Sequence, residues 1–361
     1  MNKTNIIMVV ILSLLSGTFG QGCETHIYKF PDYECVDKNG KTFGSGSFEV
    51  AYRVKNKHTN EIALMKFSKS LVDPHTKMEL ALMTMFKGED NIIQLIDFNQ
   101  DFMIVKLIEF AQNGDLHSWL LKQNNIAPLT IMQIYRGIVN GIKIMHEKGY
   151  AHLDLKLENV VLMADLTPKL IDFGLSGKVG NTDVPRGTPI YLPFEMIGKT
   201  YIQFSKEMDM YSLGVLLYEM TYQGKRLPFE ENMQDLFLSK HYGVFKYYPG
   251  MYKEFLGLIS QLTLRDPSVR LTADQLLDEI DRVIQENKFT LMKSGGYYGE
   301  NGEYRGMVYS KSFLIIYDLF LKLLLILGLT YFFYNKYNLL HSNKNKGLET
   351  ELETQAEDAF A

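Results

Sequence analysis

Cysteine is scarce in this sequence. Of 361 residues only Cys23 and Cys35 are cysteine, and none follows position 35. One pair cannot staple a chain of this size, so the fold must rest on a hydrophobic core. A basic excess is also missing. Lys and Arg number 38 against 42 Asp and Glu, a formal charge of −4, which excludes a basic nucleic-acid binder. No internal repeat is visible, and beyond Asn2 no Asn-x-Ser/Thr acceptor occurs. The remaining composition is ordinary, 46% hydrophobic and 22% charged, which excludes a disordered or collagen-like chain. The length suits one large two-lobed domain or two small ones.

Long apolar runs are absent from the middle of the chain and present at its ends. Residues 1–22 read as a signal peptide. Lys3 supplies the positive start, Ile6 to Leu15 is apolar except for Ser13, and small residues follow at Ser16, Gly17, Thr18, Gly20 and Gly22. That run is too short to cross a bilayer but suits a secretory signal; the alternative is a buried N-terminal strand or helix. Phe313 to Tyr334 is long enough to span a membrane, with Tyr331, Phe332, Phe333 and Tyr334 at one end as interface aromatics. Asp318 and Lys322 lie four apart, where they can pair. The alternative is an amphipathic helix packed on the preceding domain. Together the two ends predict a single-pass membrane protein whose middle faces the lumen or the cell exterior; without the signal, the middle faces the cytosol. The even cysteine pair just after the signal suggests one disulfide in an oxidising compartment.

The organisation expected is a short extension at 23–37, a globular unit at 38–288, a Gly- and Tyr-rich linker at 289–312, a transmembrane helix at 313–334 and a tail at 335–361 that is acidic from Glu349 to Asp358. Strand-like runs occur at 48–54, 62–67 and 102–107. Helical periodicity then takes over. Ile131, Ile134, Ile138, Ile142 and Met145 share one face, and Thr272 to Gln275 reads as a capping box. Strands first and helices second make an α+β class with a strand-rich lobe and a helical lobe.

Polar residues set inside apolar runs carry the chemistry. Gly44-Ser45-Gly46-Ser47-Phe48 lies between strand-like runs, where glycines let backbone N–H groups approach phosphate oxygens. Lys66 closes the run Ile62 to Met65, and an inward Lys needs an anion; Glu79, on the next predicted helix, offers one. The strongest signal is His152-Leu-Asp154-Leu-Lys156-Leu-Glu-Asn159, with Asp172-Phe173-Gly174 eighteen residues after Asp154. Asp154 can accept a proton from an attacking hydroxyl. Asn159 and Asp172 are hard oxygen ligands suited to Mg²⁺. Lys156 can neutralise charge on a moving phosphoryl group.

In these motifs, over about 250 residues, the sequence resembles the eukaryotic-type protein kinase family. The resemblance implies a bilobal kinase fold and transfer of the ATP γ-phosphate to protein hydroxyls, with Mg²⁺ or alternatively Mn²⁺ as metal. It assigns Gly44 to Phe48 to the glycine-rich loop, Lys66 and Glu79 to the phosphate-positioning pair, and Asp154 to the catalytic base. Asn159 and Asp172 become the metal ligands. Glu109-Phe110-Ala111 resembles the hinge that bonds adenine, with Ile108 before it. Gly187-Thr188 and Pro193-Phe194-Glu195 resemble the end of the activation segment, Asp209 the brace of the catalytic loop, and Arg270 the partner of Glu195. Lys156 with Gly187-Thr188 is similar to the Ser/Thr group rather than the Tyr group.

Two departures matter. Glu49 stands where the third loop glycine is expected, and Leu153 replaces the Arg before the catalytic Asp. That Arg normally clamps a phosphorylated activation loop, which Leu cannot do, so activity independent of such phosphorylation is expected. The same departures motivate the competing reading, a pseudokinase acting as a membrane-tethered scaffold.

Overall fold

Alternation along three strands builds the first lobe. In the computed structural model, β3 (Glu49–Asn56) pairs with β4 (Ile62–Ser68), matching Val50 to Phe67, Tyr52 to Met65 and Val54 to Ala63. All six are buried, joined by Val105 and Leu107 of β6 (Val105–Glu109). With a period of two, Ala51, Lys66 and Lys106 point to the opposite face, in register across the same three strands. The antiparallel sheet runs β1-β3-β4-β6-β5, with β1 at Tyr33–Cys35 and β5 at Leu95–Asn99. A two-residue strand, β2 (Gly44–Ser45), also pairs with β3.

The residues described are 22–36, 42–45, 49–68, 74–100, 104–221, 245–247, 251–292, 296–298 and 304–306. The chain divides into units 1–305 and 306–361, and only Gly306 of the second is described. The signal expected at 1–22, apart from Gly22, and the span expected at 313–334 therefore lie outside the described residues. Among the described ones, no helix is long and apolar enough to cross a membrane.

The segment before residue 37 is built into the sheet. Cys23 and Cys35 form a disulfide that ties a one-turn helix, α1 (Glu24–Ile27), to β1. Cys23 and Phe30 complete the outer core of the lobe. The His26 ring packs against Phe67, tilted by 46° with centroids 4.3 Å apart. Burial, with Lys29 adding to it, lowers the His26 imidazole to about 4.

Beneath the sheet lies α2 (Pro74–Met85), then a helical lobe. Its long α4 (Pro128–Glu147) buries the five residues predicted for its inner face; a short α3 (Leu116–Leu121) precedes it. Helix α5 (Lys206–Thr221) is buried along nearly its whole length, between α4 and α6 (Lys253–Leu262). The predicted capping box opens α7 (Ala273–Glu286), with both reciprocal bonds present between Thr272 and Gln275. At the start of the expected linker, Phe289 packs against Tyr252 and Phe255, and Met292 N–H donates to the Met251 carbonyl.

Because the bonded cysteines lie twelve positions apart and close only a short loop, replacing both by Ser should cost about 2–3 kcal/mol in urea unfolding. His26 adds a pH dependence. The unfolded imidazole takes up a proton near 6.5 and the folded one only near 4, so stability falls as pH drops through that window. In His26→Gln this decline should flatten; an unchanged slope would show that another group causes it.

Candidate active site

Four charges meet under the sheet. Lys66 and Lys106 are direct cross-strand neighbours on the inner face, an arrangement that repels unless anions intervene. Two do. Glu49, on the same face of β3, places Oε2 at 2.7 Å from Lys66 Nζ and Oε1 at 2.6 Å from Lys106 Nζ. Glu79, from α2, places Oε1 at 3.5 Å from Lys66 and bonds Lys106 through Oε2. Burial alone would raise the Glu79 carboxyl; Lys106 and then Lys66 override it and hold it down to about 2. Burial alone would likewise lower Lys66, but Glu79 and Glu49 raise it well above the usual range, so it stays protonated. The thirteen-residue interval from Lys66 to Glu79 thus suffices for the pairing expected from sequence.

The helical lobe supplies the other half. Leu153 sits in the left-handed region at φ 66°, an unfavourable place for a side chain of its size. A buried carboxylate holds it there. Asp209, on α5, accepts from the backbone N–H groups of His152 and Leu153 at 2.8 and 2.9 Å and bonds His146 Nε2 at 2.9 Å. The turned loop then presents Asp154. Its Oδ1 accepts from the Thr188 hydroxyl at 2.7 Å, and its Oδ2 from Lys156 Nζ at 2.9 Å and Asn159 Nδ2 at 3.0 Å. Lys156 also reaches Thr188 Oγ1 at 3.1 Å. Gly187 makes this approach possible: its φ is 116°, and a Cβ there would strike the Leu153 carbonyl.

Asp172 is left-handed too, at φ 63°. Its carboxylate opens to solvent in the cleft, while protein crowds its other sides. That partial desolvation, then the charge of Glu79, raises it above the usual carboxylate range, against the pull of Lys66. Phe173 is buried between Phe86 and His152. His75 of α2 bonds the Gly174 carbonyl at 2.9 Å and so links the helix of Glu79 to the loop of Asp172. Asp154, Asn159, Asp172 and Lys66 therefore share one cleft. Asn159 also directs Nδ2 to the Asp154 carbonyl at 2.8 Å, which turns its amide oxygen the other way. With Asp172 it offers two hard oxygen donors. Among the described residues no cluster of three His, Cys, Asp or Glu could hold a metal alone, so a cation here would draw its remaining ligands from phosphate and water.

Gly44 and Ser45 form β2; Gly46, Ser47 and Phe48 lie outside the described residues. The Glu109 Oε1 accepts from the Gln94 N–H and lies 2.8 Å from Lys169 Nζ, and the Glu109 N–H donates to the Gln94 carbonyl. Ala111 is buried and its carbonyl accepts from Gly114 N–H. Arg270 grips Glu195 with two bonds of 2.6 and 2.8 Å. Lys106 was missed. A Lys inside Ile104-Val105-Lys106-Leu107-Ile108 was the available signal, since a charge in such a run needs partners.

The sequence model of the protein kinase domain family matches residues 38–280. The chain belongs to the protein kinase family. Among relatives, the serine/threonine-protein kinase ULK3 of Xenopus laevis is 31% identical over 245 residues, covering 63% of this chain and 51% of that protein. The maternal embryonic leucine zipper kinase of Danio rerio is 30% identical over 251 residues, covering 66% and 36%. Calcium-dependent protein kinase 21 of Arabidopsis thaliana is 28% identical over 266 residues, covering 69% and 49%. The chain spans about half or less of the length of these relatives.

Leu153, the main departure from the kinase pattern, has a physical account. Its side chain is 5% exposed in an apolar cluster with Ala151, Met196, Ile202, Phe204 and Met208. Beside that cluster, Arg186 lies over the Phe204 ring at 4.5 Å and bonds Asp183 and the Ser176 carbonyl. Restoring the family residue with Leu153→Arg should therefore lower stability by about 2–4 kcal/mol in urea unfolding, because a charge enters an apolar pocket. Unchanged stability would mean that the pocket opens to water.

Proposed function

We propose that this kinase transfers the γ-phosphate of ATP to Ser and Thr hydroxyls of protein substrates, with Mg²⁺ as metal. The observation that carries the reading is the bonded group of Asp154, Lys156, Thr188 and Asn159, continuous with Asp172 and Lys66 in one cleft. Asp154 accepts the proton of the substrate hydroxyl as its oxygen bonds to phosphorus and the bond to the ADP oxygen breaks. Lys156, held against Asp154, balances negative charge on the group in transfer. Lys66 orients the phosphates, and Asn159 with Asp172 holds the metal. A bound divalent cation supplies neutralisation of the phosphate oxygens. The Ser/Thr preference is supported by the Lys156–Thr188 contact beside Asp154 and by the similarity to serine/threonine-protein kinase ULK3.

The activation segment supports activity without phosphorylation. Residues 177–178 pair with 150–151, residues 182–183 pair with 202–203, and Leu153 closes an apolar contact where a phosphate clamp would otherwise stand. For location we infer a membrane-tethered protein with its kinase domain in the lumen or outside the cell. The apolar ends of the sequence and the Cys23–Cys35 disulfide support this.

Three tests follow. Asp154→Asn should lower kcat at least about a hundredfold with an unchanged melting temperature; wild-type turnover would remove Asp154 from the role of base, and nucleotide binding with no transfer by the wild type would favour the scaffold reading. Phosphatase-treated enzyme should keep its activity on Ser and Thr peptides and show little on Tyr peptides. In sealed vesicles the kinase domain should survive added protease until detergent is present; digestion without detergent would place it on the cytosolic side.

A further inference from the structure

Lys106 has no part in the scheme above, yet it is the most enclosed charge of the cleft, with no exposed surface. No ligand can reach it. Its partners are the same two carboxylates that hold Lys66, each of which bridges the two ammonium groups. The distances are unequal. Lys66 lies 2.7 Å from Glu49 and 3.5 Å from Glu79, so its nearest anion is Glu49. Glu79 has its closer partner in Lys106. A carboxylate on the amine that must meet phosphate competes with that phosphate, because one ammonium has limited capacity for anions.

We propose that Glu49 is a resident anion on Lys66 that the phosphates of an incoming nucleotide displace, and that Lys106 is the positioning residue that keeps the displaced Glu49 neutralised while Lys66 and Glu79 stay paired. The inference rests on nucleotide phosphate being the ligand of Lys66, as proposed above. Charge arithmetic gives it force. Two Lys and two Glu balance in the structure described here. After exchange Lys66 keeps Glu79 and gains phosphate, and Glu49 is left to Lys106 alone. Without Lys106, phosphate entry would strand the largely enclosed Glu49 carboxylate with no cation, a penalty in a desolvated site. Lys106 is thus a cation for the enzyme's own anions.

The test is a double-mutant cycle on the full chain, reading the Kd of a non-hydrolysable ATP analogue with Mg²⁺ by calorimetry and checking each protein by thermal melting. Glu49→Gln removes the competitor and should tighten binding about threefold or more. Lys106→Met should weaken it about tenfold or more in the wild-type background, but less than about threefold in the Glu49→Gln background, where no displaced carboxylate needs a partner. Equal losses in both backgrounds would mean that Lys106 acts only through net charge, and would overturn the proposal. So would a Glu49→Gln protein that binds no tighter than wild type, a comparison that stands even if Lys106→Met fails to fold. A wild type that melts cooperatively but binds no nucleotide would instead remove the ligand assigned to Lys66, and this proposal with it.

Discussion

Burying charge is the constraint around which this molecule is arranged. An ion taken from water loses several kcal/mol unless partners replace its hydration. Here two lysines and two glutamates meet that demand together under the sheet. The consequence is positional. Strands β3, β4 and β6 and helix α2 must all be in place for the set to neutralise, so the first lobe is locked in one arrangement. His75 carries the same arrangement to the Asp172 loop.

The second lobe solves a related problem with one fully buried acid. Asp209 would be raised by its burial; the bond to His146, the neighbouring His146 and His152 imidazoles and the Leu153 N–H reverse this and lower it. Its bonds hold Leu153 in a backbone conformation that Leu alone would leave. That turn aims Asp154 at Thr188 and Lys156. Leu153 also anchors the activation segment by apolar contact, so one residue serves both the loop and the segment that faces it.

Much of this was legible in sequence, for identifiable reasons. Period-two alternation placed β3 and β4, and period 3.6 placed α4, because one buried face writes its own pattern. The capping box was readable because it needs particular side chains at a fixed spacing, and the Arg270–Glu195 pair because the resemblance to kinases implies it. Strand β5 left no pattern, since only Leu95 at its start is buried. The role of residues 23–36 in the sheet was hidden too: β1 is three residues long and pairs with a strand some twenty residues on. Lys106 was visible as an oddity, but its meaning depended on a cross-strand register that sequence does not state.

The central claim is that these gathered side chains form a nucleotide–metal site. The most direct test is a crystal structure of the full chain with a non-hydrolysable ATP analogue and Mn²⁺, whose anomalous signal locates the cation without ambiguity. The account predicts Mn²⁺ between Asn159 and Asp172, with Lys66 against the phosphates and no longer on Glu49. Mn²⁺ bound elsewhere, or Lys66 still held by Glu49 beside a bound analogue, would contradict it.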